Sequence, residues 1–159
     1  MYYLGAQGNS CDEYYVLNDP TRNSDYGYAE GYCDQVDYFL SESHDWRGPA
    51  WYRFSEIAGN TIPEEPIEGG WRCNSQISGW LFGHHPLTNG ETIDGTVCFS
   101  AANGQNCYKY VSIKIKHCND YFLYKLGDVP ACNARYCSTN TNMTGMYLKR
   151  PKQVLSKQD

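Results

Sequence analysis

The chain has 159 residues, a formal net charge of −5 and a pI near 5.3. That length suits one domain with tails, and the acidic balance lacks the clustered basic surface that phosphate backbones require, so nucleic acid is not an expected partner. No run approaches the roughly 20 apolar residues of a spanning helix, so membrane insertion is not expected either.

Residues 1–10 read as a lead-in ending in Gly8-Asn9-Ser10. Met1 to Ala6 lacks the basic segment and long apolar run of a secretory leader, so the chain reads as a mature piece or fragment of a longer product. Tyr14 to Leu17 is the first predicted strand. Asn18-Asp19-Pro20 marks a turn, where Asp or Asn accepts a backbone N–H. With Asp12, Glu13 and Asp25 it also forms an oxygen-rich stretch suited to calcium, the one cofactor considered, although the spacing does not match an EF-hand loop. Tyr14, Tyr15, Tyr26, Tyr28, Tyr32 and Tyr38 crowd the first third. Tyr offers contact area with one hydrogen-bonding handle, which suits an interface; filling a small β core is the competing use.

Asp45 to Ile57 holds at most a short turn, because Gly48-Pro49 interrupts it. Residues 58–72, with Gly59, Pro63, Pro66, Gly69 and Gly70, read as a loop and the loosest part of the unit. His84-His85 invites a metal reading, but neighbours on a strand face opposite sides and cannot easily share an ion. A turn with His85 before Pro86 is the better reading. Asn89-Gly90, Asp94-Gly95 and Asn103-Gly104 are tight-turn pairs, and Thr96 to Ser100 is a strand. Tyr110 to His117 alternates: Val111, Ile113 and Ile115 share one face, Ser112, Lys114 and Lys116 the other, the period of a half-buried strand. Tyr121 to Leu126 is another strand. Ser138 to Gly145 is polar and reads as a linker carrying Asn142-Met143-Thr144, an N-glycosylation acceptor. Residues 139–159 then form a tail whose Lys149, Arg150, Lys152 and Lys157 are solvated, with Lys149-Arg150 doubling as a dibasic processing site.

Eight cysteines occur, none in a Cys-x-x-Cys pair. An even count without metal spacing points to four disulfides in an oxidising compartment, hence to a secreted or extracellular protein. Four bridges allow 105 connectivities. Only Cys98 with Cys107 is assignable locally, since a hairpin at Asn103-Gly104 brings the two together. The expected fold is mainly β: small disulfide-rich antiparallel sheets with long loops and at most a short helix. There is no Gly-x-Ser-x-Gly elbow, oxidised cysteines are not nucleophiles, and the phosphate-loop partners of Gly69-Gly70 are absent. No catalytic set stands out for a toxin or a hydrolase.

The order of short words along residues 11–138 carries a resemblance. Cys11 to Arg22 reads C-D-E-Y-Y-V-L-N-D-P-T-R; Cys33-Asp34 follows, then Trp51-Tyr52-Arg53-Phe54 with Gly59, and Cys73. Gly79-Trp80-Leu81, Gly83, His85 and Pro86 come next, then Val97-Cys98, Cys107, Ile113 to Cys118, Tyr121 to Leu126, Pro130 to Asn133 and Arg135-Tyr136-Cys137. Together they resemble the eight-cysteine domain of uromodulin and the major pancreatic secretory-granule glycoprotein. The resemblance implies a non-catalytic extracellular module whose partners are extracellular proteins or glycans, with Trp51, Tyr52, Arg53, Phe54, Trp80, His85 and Pro86 as structural residues. It implies the bridges Cys11–Cys118, Cys33–Cys132, Cys73–Cys137 and Cys98–Cys107. Family members carry a glycan between the sixth and seventh cysteines; here Tyr124-Lys125-Leu126-Gly127 offers no acceptor, and Asn142 offers a different position. Arg53 is expected to pair with a carboxylate such as Asp19. The leading functional expectation is adhesion, recognition or matrix contact; the alternative is a self-associating structural subunit of a secreted filament or assembly.

Overall fold

A computed structural model describes residues 10–36 and 43–149. Tyr38, Arg150 and the remainder of the basic tail lie outside the described residues. Seven strands form a single mixed sheet: β1 (Tyr15–Leu17), β2 (Ala50–Phe54), β3 (Ile77–Phe82), β4 (Thr92–Ser100), β5 (Lys109–Cys118), β6 (Tyr121–Leu126) and β7 (Ala134–Tyr136). Their order across the sheet is β1-β2-β6-β5-β4-β3-β7. The inner pairings are antiparallel, while β1 on β2 and β7 on β3 are parallel. Two 3-10 turns, Pro20–Arg22 and Glu56–Ala58, and one short helix α1 (Met143–Lys149) complete the elements. The chain is thus mainly β with a short helix and four disulfides.

Alternation decides which face is buried. Val97, Phe99, Ile113, Ile115, Phe122, Tyr124, Tyr52 and Phe54 fall on one face and form the core with Leu17, Leu81, Trp46 and Tyr136. On β5, Ser112 and Lys114 are exposed as the period requires, but Lys116 is only 4% exposed. The chain entering from Cys11 crosses the outer face at this end: Cys11 is bridged to Cys118, and the Tyr121 hydroxyl donates to the Cys11 carbonyl. At Gly79, a Cβ would come within 2.8 Å of the Arg135 carbonyl and 2.9 Å of the Phe99 ring. Only glycine lets β7 and the core ring approach β3 so closely.

Three sequence expectations differ from the fold. The Trp51-Tyr52-Arg53-Phe54 segment is strand β2, because β1 and β6 hydrogen-bond it on both sides. Asp94-Gly95 lies within β4, opposite Lys114 and Ile113, and does not turn; the turns are at Asn89-Gly90 and Asn103-Gly104. The loop 58–72 is well anchored. Thr61 and Thr139 exchange backbone bonds, Leu81 N donates to the Pro63 carbonyl, and Ala58, Ile62 and Ile67 are buried. The polar run after Cys137 is its counterpart. Ser138 and Thr139 pair with Asn23 and Thr61, Asn60 and Thr141 bond reciprocally, and Met143 and Met146 of α1 rest against the core.

Candidate functional site

The cysteines pair as Cys11–Cys118, Cys33–Cys132, Cys73–Cys137 and Cys98–Cys107, leaving none free. The first three close long stretches of chain, and a crosslink across a long loop removes the most unfolded-state entropy. Cys73, Cys98 and Cys137 gather with Trp80 and Ile67 in a second, smaller apolar cluster. The Trp80 indole N–H donates to the Asn106 carbonyl at 2.7 Å, tying β3 to the Cys98–Cys107 hairpin.

Next to the core sits a buried charge network. Arg22 is fully buried and all its donors are engaged: Nε with Asp45, Nη1 with Asp34 Oδ2 (2.8 Å) and the Tyr136 carbonyl (3.0 Å), and Nη2 with Asp34 Oδ1 (2.7 Å) and Asp45 Oδ1 (2.6 Å). Asp34 Oδ2 also accepts the Tyr136 N–H. Arg135, equally buried, donates to Ser43 Oγ, Thr21 Oγ1, the Cys73 carbonyl and Asp19 Oδ2. Asp19 caps the first 3-10 turn through the Thr21 N–H. Burial alone would raise the Asp45 carboxyl, but Arg22 beside it holds it down at about 2. Burial and the nearby Arg22 pull Arg135 down to about 10, still protonated at neutral pH. A buried arginine without carboxylates is costly, so these groups are committed to holding five chain segments together.

A second polar line joins Glu64, His85 and Tyr124. Glu64 Oε1 lies 2.6 Å from His85 Nδ1 and Oε2 lies 2.9 Å from His84 Nδ1. His85 Nε2 is 2.7 Å from the Tyr124 hydroxyl, which accepts the Ile62 N–H. Burial would raise Glu64, yet the hydrogen bonds from His85 and His84 bring it to about 2. The histidines face opposite surroundings, His85 buried and His84 exposed. This carboxylate–imidazole–hydroxyl series has the connectivity of an activated nucleophile, but its terminal hydroxyl is buried, with burial raising the Tyr124 phenol far above its ordinary value. It braces the 58–72 loop against β6.

Tyr52 is a packing hub. Its ring stacks on Trp46 at 4.8 Å and 10°, and its hydroxyl donates to the Gly48 carbonyl and accepts from Arg47 N. Phe54 meets Tyr124 edge-on; Trp51 is half-buried on the outer face; Pro86 is buried beside His85. Arg53 does not pair with Asp19. Its guanidinium lies 3.9 Å from the Tyr121 ring centroid and donates to the Tyr14 hydroxyl, because β2 places it on the outer face while Asp19 faces Arg135. Asp12, Glu13, Asp19 and Asp25 are not gathered into a calcium site, and among the described residues no group of three or more His, Cys, Asp or Glu could hold a metal. Asn142 is exposed and caps α1, its Oδ1 accepting the Gly145 N–H.

A groove of about 870 Å³ opens beside Asn142, lined also by Asp25, Glu64, Glu65, Glu68 and Arg72. Neither this groove nor the Arg22–Asp34–Asp45–Arg135 network is visible in the sequence pattern. The one available signal for the network was that Arg22 and Arg135 stand inside the recognisable words at each end of the unit.

A mainly β domain with its arginines and buried acids spent on internal bonds, and with every cysteine oxidised, is a disulfide-stapled module built for an oxidising compartment. A family model described as the uromodulin-like eight-cysteine domain matches residues 52–138, and the chain belongs to that family. It is 32% identical over 146 residues to the pancreatic secretory granule membrane major glycoprotein GP2 of Rattus norvegicus, covering 84% of this chain and 25% of that protein. The corresponding protein of Canis lupus familiaris is 27% identical over 149 residues, 92% and 27% covered. Uromodulin of Rattus norvegicus is 30% identical over 137 residues, 85% and 19% covered. The chain thus spans about a quarter of the length of these relatives, or less. It is a secreted or extracellular module, and no helix among the described residues is long and apolar enough to cross a membrane.

Proposed function

We propose that this domain is a non-catalytic extracellular recognition or adhesion module that acts through a rigid contact surface and an N-glycan on Asn142. One observation carries the reading. The chemistry-bearing side chains are buried in structural networks, whereas large aromatics stand in solvent: Trp71 is 45% exposed, and Tyr26 and Tyr28 are each 40% exposed. Exposed Tyr and Trp on a rigid frame are the residues that dominate contact energy at interfaces. The cap of α1 uses Oδ1 of Asn142, whereas glycosylation would modify Nδ2, so capping and glycan attachment are chemically compatible.

The test is secretion of the chain from eukaryotic cells. Intact mass should fall by one N-glycan on Asn142→Gln, and the purified domain should bind a panel of extracellular-matrix proteins and glycans without turning any over. Hydrolysis abolished by Glu64→Gln with the fold retained would overturn the reading.

A second reading, assembly of identical copies, is favoured by the outer sheet face, where Phe82, Tyr108 and Tyr110 are at least half exposed. Register places Tyr110 across Cys98 from Trp80, making an apolar stripe of the kind that mediates association. Sedimentation of the oxidised domain distinguishes the readings: a concentration-dependent oligomer lost in Tyr110→Ser selects assembly.

A further inference from the structure

The segment after Gly69 spends backbone strain to hold a tryptophan in water. Trp71, Cys73 and Asn74 have φ of 56°, 45° and 53°, a region that costs a non-glycine residue about 1–3 kcal/mol. Many bonds enforce it. Trp71 N donates to the Gln76 carbonyl, Cys73 N to the Tyr26 carbonyl and Asn74 N to the Gly27 carbonyl, and Cys73 is bridged to Cys137. Asn74 Oδ1 accepts three successive N–H groups, from Ala29, Glu30 and Gly31, at 2.9, 3.0 and 3.1 Å. The aromatics on these two segments therefore have fixed positions, and Tyr28 meets Trp71 edge to face at 4.8 Å. Strain that buried Trp71 would repay itself in core packing. Here the ring stays 45% exposed, so the strain serves presentation.

The chain neighbours of these rings give the ridge its charge. Asp25, before Tyr26, and Arg72, after Trp71, both line the groove, together with Glu64, Glu65 and Glu68. Four carboxylates stand against one guanidinium. We infer that the Tyr26–Tyr28–Trp71 ridge and the adjoining groove dock a basic, Lys- and Arg-bearing segment of a partner protein. Ring faces attract cations through their quadrupole, and the groove wall attracts them through its net negative charge. An acidic partner is repelled by the wall, and a neutral saccharide gains nothing from it. The inference rests on reading the chain as a recognition module and names the chemistry of its partner.

The test uses the oxidised, secreted domain, with Asn142 intact and as Asn142→Gln. Fluorescence anisotropy is followed with a labelled Arg/Lys-rich nonapeptide, its Asp/Glu twin and a neutral oligosaccharide. The basic peptide binds, the acidic twin does not, and affinity falls at least about fivefold when salt rises from about 50 to about 300 mM. Glu65→Gln with Glu68→Gln, both exposed, weakens binding about fivefold or more. So does Trp71→Gly, which removes the ring while keeping a residue at ease with positive φ. Tyr110→Ala, on the outer face of the sheet, leaves it unchanged. Equal binding of the two peptides, no binding of either, or undiminished binding by the Glu65/Glu68 variant overturns the inference. Binding of the oligosaccharide in place of the basic peptide also overturns it. If the matrix and glycan panel still binds while the basic peptide does not, the recognition reading stands and only the partner chemistry falls.

Discussion

Asp34→Asn is the sharpest probe of what holds this fold together. Asp34 accepts from both Nη atoms of a fully buried Arg22 and from Tyr136 N, joining the first 3-10 turn to strand β7. The amide keeps the shape but loses the charge, and one end of it becomes a donor facing donors. Breaking one side of a buried, hydrogen-bonded ion pair costs about 3–5 kcal/mol, which lowers Tm by roughly 6–20 °C in a chain of this size. The measurement is guanidinium unfolding with disulfides intact, followed by tryptophan fluorescence, since Trp46 stacks on Tyr52 and lies 5.8 Å from Tyr136. Arg22→Met alone and combined with Asp34→Leu completes a double-mutant cycle. The combined variant should lose less than the sum of the singles by about 2 kcal/mol or more. A loss below about 1 kcal/mol for Asp34→Asn, with m unchanged, would refute the claim that this network is structurally necessary.

Three further outcomes follow from the same geometry. Asp45 and Glu64 are both depressed to about 2, so their stabilisation is complete above the ordinary carboxylate values and is lost as pH falls from about 4.5 through 2. Asp45→Asn should flatten that acid limb by about 2.5 kcal/mol in urea titrations at successive pH values. Replacing Cys98 and Cys107 together by Ala opens the shortest loop, a separation of 9 residues, and should cost only about 2.5 kcal/mol; unfolding of the reduced-loop variant at ambient temperature would contradict that. Asn74→Ala strands three backbone donors and puts a Cβ residue without local bonding at positive φ, costing about 2–4 kcal/mol. Hydrogen exchange should accelerate at residues 29–31 in Asn74→Ala and much less in Asn74→Asp, which keeps the acceptor.

Local pattern was legible wherever neighbours along the chain determine structure. The alternation at Val111, Ile113 and Ile115 set the buried face of β5, and Asn103-Gly104 set its hairpin with β4, because period and turn chemistry are short-range. Trp51 to Phe54 was not legible as a strand, since its hydrogen-bond partners come from β1 and β6, more than 30 and 60 residues away in sequence. Nor was the fate of Arg53 legible: one residue of register decides between a carboxylate and the Tyr121 ring.

By itself the sequence determined an acidic, mainly β, disulfide-stapled extracellular unit, because cysteine parity, composition and side-chain period need no long-range contact to be read. Only the tertiary structure decided which charges are internal and which aromatics are displayed. Arg22, Asp34, Asp45 and Arg135 look like surface residues until chain segments more than 100 residues apart enclose them. Trp71 looks like core until a disulfide and a series of left-handed residues turn it outward. Burial is a property of the packed whole, and no local pattern encodes it.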